Sequence, residues 1–378
     1  IPSMTPPKEY PLVYSILYVV GEIFLRLIQM IVIPLVLSSL IVGIASLGDG
    51  RQLGRLGSKV LLYFILTTSL AAIIGTSIAL VVNPGDQVKP TMEKLISEKE
   101  RTHIEQIWRK NQQEVDLKET FLNMLPSKPF EALTKAQLVP IILFCIIFGA
   151  ALTFIGETNR PVISFFESIF AATMKVTDWI MMLAVPGIFS LTALTVARTG
   201  LSIFVGMIPY VLCIVLGLLI QLFVIYPIIL KLFAKVNFVD LYKAIIEAMM
   251  VAFGTASSNA TLPVTIACCE RRAGISNRIS SFVLPLGTTM NMDGTAIFET
   301  VAVVFLAQAY GLDIGNPITL FLLITMATIA SLAAAGVPSA GIITMALVLS
   351  TIGFGGDLNT VSLGIALIFA IDRFLDMA

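Results

Sequence analysis

The stretch TTMNMDGTAIFE at residues 288–299 places an amide, two carboxylates and several hydroxyls in otherwise apolar surroundings. Asn291 and Asp293 carry side-chain oxygens that suit a hard cation such as sodium, which prefers several oxygen ligands. The Gly in this stretch favours a break in the helix, and a broken helix frees backbone carbonyls. The carbonyls available nearby belong to Gly287, Thr289 and Met290.

Asp293 needs a positive partner if it is buried. A lone carboxylate in an apolar interior costs several kcal/mol or takes up a proton. No lysine or arginine occurs between Arg278 and Arg373. The sequence therefore predicts a bound cation as the partner of Asp293.

Glu299 is predicted to have a different role from Asp293. It lies six residues further on, about 600° round a straight helix and so away from the same face. A buried glutamate without a basic neighbour is suited to carrying a proton. The alternative, a solvated or interface-facing Glu299, stays open at this stage.

Hydroxyls and carboxylates elsewhere in the chain can bind the two charged groups of an amino acid. Ser257, Ser258 and Thr295 can donate hydroxyls to a carboxylate, which also suits a positive helix end. Asp372 and Asp376 are four residues apart on one helix face and can bind an ammonium group. Together with the cation site, these residues predict a cation-coupled amino-acid site.

Composition places these residues in a membrane protein. Hydrophobic residues make up 57% of the chain and charged residues only 13%, with a mean hydropathy of +0.94. A helix crosses a hydrocarbon core of about 30 Å in some 20 residues. An all-α polytopic membrane protein is therefore predicted, from apolar runs at 12–47, 60–82, 136–155, 203–230 and 317–352. Glu22 and Arg26 interrupt the first run four residues apart, and an ion pair or a snorkelling pair near the interface is expected rather than a functional site.

Other classes of site have little support. Equal numbers of basic and acidic residues, 24 of each, give no reason to expect nucleic-acid binding. The four cysteines lack a metal-binding spacing and are interpreted as buried thiols. The single histidine, His103, lies in a polar segment. No signal peptide is visible, and because the chain starts without Met and stops within an apolar helix at Ala378, both ends are expected to be cut.

Three clusters of small and polar residues interrupt the later apolar runs, at 254–263, 287–295 and 331–341. A helix that breaks at membrane depth must be surrounded by protein or line a wet cavity. The first and third clusters each lie midway along about 30 apolar residues, which favours two re-entrant hairpins related as inverted repeats. The alternative is a pair of kinked helices that only assist packing.

Four motifs resemble those of the glutamate transporter family, within the dicarboxylate/amino acid:cation symporter superfamily. They are SSNATLP at 257–263, NMDGT at 291–295, AAGVPSAG at 334–341 and DRFLDMA at 372–378, and LRLIQMIVIPLVLSSLIVG at 25–43 extends the resemblance. The resemblance implies a sodium-coupled symporter of acidic amino acids in a plasma membrane or bacterial inner membrane. A neutral amino acid or dicarboxylate carrier of the same family is the alternative.

The resemblance also implies a role for individual residues. The implied substrate contacts are Ala256, Ser257, Ser258, Thr295, Val337, Gly341 and Asp376, the last on the amino group. One sodium ion would use Gly287 and Asn291, a second Thr289 with Ser331, Leu332 and Ala334, and a third Phe64, Thr67, Thr68, Asn291 and Asp293. Glu299 would couple transport to protons and potassium. No organic cofactor is implied.

Departures from the family pattern concern specificity. The arginine that reads a side-chain carboxylate in the family would fall just after Ala378, and the first family helix has no counterpart in this sequence. Thr295 resembles the acidic amino acid carriers, whereas neutral exchangers tend to have alanine there. Glu299 and Ala256 resemble the eukaryotic glutamate carriers, whereas many prokaryotic relatives have glutamine at the first position and several have arginine at the second.

The implied architecture is a homotrimer in the lipid bilayer, in which a transport domain slides against a scaffold as in an elevator. The resemblance divides the chain into 12–56 (scaffold, second family helix), 57–85 (third helix), 86–135 (extramembrane loop), 136–235 (fourth to sixth helices), 240–272 (re-entrant hairpin 1), 278–311 (broken seventh helix), 317–356 (re-entrant hairpin 2) and 360–378 (start of the eighth helix).

Two other functions have weaker support in the sequence. An intramembrane aspartyl protease needs a GxGD-like site, and GFGGD at 353–357 has Phe354 where the first glycine should be. An ion channel is expected to use one ring of equivalent ligands rather than two dissimilar hairpins beside a single NMDGT motif. The chain is accordingly predicted to be a transporter and not an enzyme.

Overall fold

The computed structural model describes residues 11–45, 51–95, 106, 108, 125, 128–134, 138–199, 202–334, 341–342, 344–345, 348–349 and 362–378. Within these ranges the regular structure is helical and includes no strand. The helices are α1 (Pro11–Ala45), α2 (Arg51–Val82), α3 (Lys89–Leu95), α4 (Pro129–Thr134), α5 (Leu138–Ile155), α6 (Arg160–Met182), α7 (Ala184–Thr199), α8 (Ser202–Gly206), α9 (Ile208–Ile220), α10 (Tyr226–Ile229), α11 (Phe238–Thr255), α12 (Ser258–Arg271), α13 (Asn277–Met290), α14 (Asp293–Ala309), α15 (Pro317–Ala333) and α16 (Ser362–Met377).

Three helical stretches of the described residues are long and apolar enough to span a membrane. They are Gly57–Val82, Ile203–Ala234 and Ile279–Ala309, and the bent pair α6 and α7 adds a fourth when it is counted as one span. Many large apolar side chains face outward, among them Leu66, Phe154 and Phe233. An apolar outer surface of this kind is the surface that lipid covers in a membrane protein. The chain is a multi-pass membrane protein, as its composition predicts.

The helix α1 packs against α5, α6 and α7. Glycines allow the close approach, since a Cβ on Gly187 would lie 2.4 Å from the Phe24 ring and one on Gly149 would lie 2.9 Å from Ile44.

The predicted pair between Arg26 and Glu22 is present, with Nε and Oε1 2.7 Å apart.

Among the described helices α14 is the most buried, and it packs between α2, α9 and α15. Every described side chain from Ala296 to Ala309 is buried, so this helix has no lipid-facing side. Gly75 on α2 lets the two backbones meet, because a Cβ there would lie 2.3 Å from Thr300 Oγ1 and 3.0 Å from the Ile297 carbonyl oxygen. Gln308 then joins the ends of α2 and α14 by donating from Nε2 to Asn83 Oδ1 at 2.9 Å and accepting from the Gly85 amide at 2.9 Å.

Two of the predicted breaks lie within the described residues and are narrower than the sequence clusters. Between α11 and α12 the turn is Ala256 and Ser257, where Ala256 has a φ of +50° and Ser257 Oγ caps α12 by accepting from the Ala260 amide at 3.3 Å. The two helices pack against each other as a hairpin. Pro263 lies inside α12 and not in the break.

The second break is confined to Asn291 and Met292, whose backbones leave the helical region between α13 and α14. Helical pairing persists through the first residues of this cluster, because the Gly287 carbonyl still accepts the Asn291 amide at 3.0 Å. In the third cluster α15 continues to Ala333 and Ala334 is extended, whereas residues 335–340 lie outside the described part.

Candidate functional site

Asp293 is the centre of a polar site between three helices. Its carboxylate is 3% exposed and accepts hydrogen bonds on both oxygens. Oδ1 accepts from Thr68 Oγ1 at 2.7 Å and from Thr67 Oγ1 at 3.4 Å, both on α2. Oδ2 accepts from Gln221 Nε2 and from Tyr226 Oη, each at 2.9 Å.

The residues assigned by resemblance to the third sodium ion converge on this carboxylate. Thr67 Oγ1 lies 3.2 Å from Asn291 Oδ1 and also 3.2 Å from the Phe64 carbonyl oxygen. Phe64, Thr67 and Thr68 come from one turn of α2, and Asn291 comes from the break that precedes Asp293. The structure thus brings together five residues from two parts of the chain that are more than 220 positions apart.

The chemistry of this set suits an alkali cation. It offers hydroxyl, amide and carbonyl oxygens around one carboxylate. Among the described residues, no ion pair involves Asp293. No group of three His, Cys, Asp or Glu side chains in the described part of the chain could hold a metal ion. Transition metals prefer nitrogen and sulfur ligands, whereas hard cations take oxygen. The site can bind one cation, which would neutralise Asp293 in place of a basic side chain.

Gln221 and Tyr226 are site residues that the sequence analysis does not single out, because residues 203–230 form one of its apolar runs. The signal was present, since Gln221 is the only amide or charged side chain in the run from 203 to 230. A polar residue inside a membrane helix is a candidate for a functional site.

Glu299 lies six residues further along α14 and is 0% exposed. Its Oε2 accepts from Ser331 Oγ on α15 at 3.1 Å, and the Thr344 side chain also faces this carboxylate. The alternative of a solvent-facing Glu299 is contradicted by this burial. The carboxylate links α14 to the end of α15, where the third polar cluster begins.

The residues assigned to the second sodium ion are near one another but do not form a closed set. Leu332 packs in an apolar cluster with Phe64 and Met290, so the ends of α13 and α15 are adjacent. Thr289 Oγ1 donates to its own helix, to the Leu286 carbonyl at 3.0 Å. The Ser331 carbonyl accepts the Ala334 amide at 3.3 Å.

The residues expected to contact substrate lie on several elements. Ala256, Ser257 and Ser258 form the tip of the α11–α12 hairpin, and the helix that carries Asp376 packs against α11. Thr295 lies beside Gly341, since a Cβ on Gly341 would be 3.5 Å from Thr295 Cγ2. Val337 and the GFGGD stretch at 353–357 lie outside the described residues.

A comparison with protein families shows which family the chain belongs to. The sequence profile of the sodium:dicarboxylate symporter family matches residues 10–378. The chain belongs to this family. Its membership confirms the resemblance based on the four motifs, and the family consists of transporters rather than enzymes.

Similar proteins carry names that describe amino-acid symport. The "Proton/sodium-glutamate symport protein" of Geobacillus stearothermophilus is 37% identical over 372 residues, which cover 97% of this chain and 84% of that protein. The "Proton/glutamate-aspartate symporter" of Escherichia coli (strain K12) is 33% identical over 369 residues, covering 97% and 82%. The "Neutral amino acid transporter B(0)" of Oryctolagus cuniculus is 35% identical over 383 residues, covering 93% and 69%. Membrane transport of amino acids is therefore the common property of these relatives of the symporter family.

Proposed function

We propose that the chain is a sodium-coupled symporter of the acidic amino acids aspartate and glutamate. The observation that carries the proposal is the buried carboxylate of Asp293, surrounded by Thr67, Thr68 and Asn291 and without a basic partner among the described residues. A sodium ion supplies the charge that this carboxylate needs. The names of two relatives, which print sodium and glutamate, support the same function.

In this proposal up to three sodium ions accompany the substrate. The Asp293 set holds one ion, with the Phe64 carbonyl as a further ligand. Gly287 with Asn291 holds another, and the last lies between Thr289 and the end of α15 at Ser331, Leu332 and Ala334. The Gly287 carbonyl has a second lone pair available, because its hydrogen bond to the Asn291 amide uses only one.

The substrate is proposed to lie between the hairpin tip and α14. The amino terminus of α12 offers amide groups and the Ser257 and Ser258 hydroxyls to a carboxylate, helped by the helix dipole. Thr295, Gly341 and Val337 form the opposite wall, and Asp376 binds the ammonium group. Residues 317–356 form the second hairpin, which opens and closes over the substrate as a lid.

Glu299 is proposed to carry a proton into the cell and to permit potassium counter-transport on the return. Its complete burial and its hydrogen bond to Ser331 support this role, because a change in its charge would alter the contact between α14 and α15. The printed names of two relatives include protons.

The packing also supports a moving and a static part. The helices α2, α9 and α14 with the two hairpins form the proposed transport domain, and α1 with α5, α6 and α7 forms the proposed scaffold. Three copies would assemble through their scaffolds, and the transport domain would slide across the bilayer.

A neutral amino acid carrier is the second candidate, because a neutral amino acid transporter is 35% identical to the chain. Competition separates the two. Unlabelled aspartate or glutamate should suppress uptake of labelled aspartate into proteoliposomes at concentrations at which alanine, serine and glutamine have no effect. Equal suppression by serine or glutamine would favour the neutral carrier.

A further inference from the structure

The two oxygens of Asp293 face different helices. Oδ1 accepts from the Thr67 and Thr68 hydroxyls of α2, which belong to the proposed sodium site. Among the described residues, Oδ2 accepts from Gln221 and Tyr226, which lie outside α2. One carboxylate is thus shared between a cation site and a pair of hydrogen-bond donors.

The backbone is adapted to place both donors on one oxygen. Residues five apart on a regular α-helix point about 140° away from each other. Gln221–Ile225 is instead a π-helical turn, in which the Tyr226 amide donates to the Gln221 carbonyl. This i to i+5 bond aligns Gln221 with Tyr226, and π-helical turns of this kind are frequent at functional sites.

The buried side chain of Gln221 donates from Nε2 to Asp293 Oδ2. It is 3% exposed, and its Oε1 is buried without a hydrogen-bond partner among the described residues. A buried amide with half its polar atoms unpaired is costly. Packing alone would be served better by leucine or methionine of similar size.

We infer that Gln221 and Tyr226 are positioning residues that compete with the cation for Asp293 and thereby set sodium affinity and the rate of sodium release. A carrier must unload its ion, and a bare buried carboxylate would resist unloading. Two neutral donors on Oδ2 stabilise the carboxylate when the ion leaves, and they withdraw negative charge from it while the ion is bound. The inference rests on the proposed sodium role of Asp293.

The direction in which the half-maximal sodium concentration changes distinguishes this role from simple structural support of the site. Tyr226→Phe and Gln221→Leu each remove one donor and keep the approximate volume. Both should lower the sodium concentration for half-maximal activation by about three- to tenfold, since that factor corresponds to the net contribution of a typical intramolecular hydrogen bond. Both should also lower the maximal transport rate, because sodium release becomes slow. Loss of mere structural support would instead raise the half-maximal sodium concentration.

Tyr242→Phe is the matched control. The Tyr242 hydroxyl donates to the Leu222 carbonyl of the same π-helical turn at 2.5 Å but not to Asp293. This variant should leave the half-maximal sodium concentration unchanged. A second readout, the rise in the unfolding temperature with sodium in detergent, reports sodium binding without transport and should begin at lower sodium in the two donor variants.

The test uses the complete protein in proteoliposomes, with sodium chloride as the titrant. The inference is supported if the half-maximal sodium concentration is lower in Tyr226→Phe or Gln221→Leu than in the wild type and if this difference disappears when Asp293→Asn is added. An unchanged or raised value in both variants overturns it while leaving the proposed function intact, provided that the wild type is activated by sodium. A wild type indifferent to sodium would overturn the proposed function itself.

Discussion

Thr68 Oγ1 lies 2.7 Å from Asp293 Oδ1, although the two residues are 225 positions apart in the chain. The contact joins α2 to the first turn of α14, the most buried helix of the described structure. It therefore fixes the position of the carboxylate at the point where the helix restarts after its break. In the proposed function, the same hydroxyl oxygen is a sodium ligand.

Thr68→Val should raise the sodium concentration for half-maximal uptake by about three- to tenfold, because it removes one oxygen from the cation site and keeps the side-chain volume. Titration of uptake with sodium at fixed aspartate measures this. Thr76→Val is the control, since the Thr76 hydroxyl is also buried on α2 but donates only to the Ala72 carbonyl at 2.8 Å. Equal sodium curves for Thr68→Val and wild type would remove Thr68 from the site.

Glu299→Gln should abolish any dependence of transport on external pH and on internal potassium, because glutamine keeps a hydrogen-bond acceptor for Ser331 and cannot gain or lose the proton. Uptake measured between pH 5 and 8 tests this. Glu247→Gln is a suitable control, since Glu247 is half exposed and pairs with Arg272 on the surface of the hairpin. A pH profile of Glu299→Gln identical to a pH-dependent wild-type profile would refute the coupling role.

Gly75→Ala should lower the unfolding temperature in detergent, with a loss of about 1–3 kcal/mol as is typical of overpacked sites. A methyl group there would meet Thr300 Oγ1 at 2.3 Å and force α2 away from α14. Gly254→Ala is the control, because nothing lies within 4 Å of a Cβ at Gly254 and alanine favours helix by up to about 1 kcal/mol. Equal unfolding temperatures for the two variants would contradict the close packing of α2 and α14.

Some of the site could be predicted from local chemistry and some could not. Asp293 and Asn291 stand out because polar oxygens without a basic neighbour are conspicuous in an apolar run. Thr67 and Thr68 do not, because hydroxyls inside a helix can bond to their own backbone, and only the family resemblance indicated them. Gln221 and Tyr226 escaped notice because their common face depends on a π-helical turn, which the pattern of apolar residues does not reveal.

The positions of the helix breaks could be predicted from the sequence, but their lengths could not. Small and polar residues indicate where a membrane helix can be interrupted, and both described interruptions fall within the predicted clusters. Their length is set by the backbone, which keeps its internal hydrogen bonds as far as sterically possible. This is why α13 continues past Gly287 to Met290. The helix α12 continues through Pro263 although the proline has no amide to donate.

Sodium-driven uptake is the most direct test of the central claim. Proteoliposomes that contain the complete protein should accumulate labelled aspartate when an inward sodium gradient is imposed. Accumulation should fall to the level of protein-free vesicles when choline replaces sodium. Asp293→Asn should weaken sodium activation before it alters the preference among substrates. Uptake that is unaffected by removal of the sodium gradient, or an Asp293→Asn variant with unchanged sodium activation, would contradict the account.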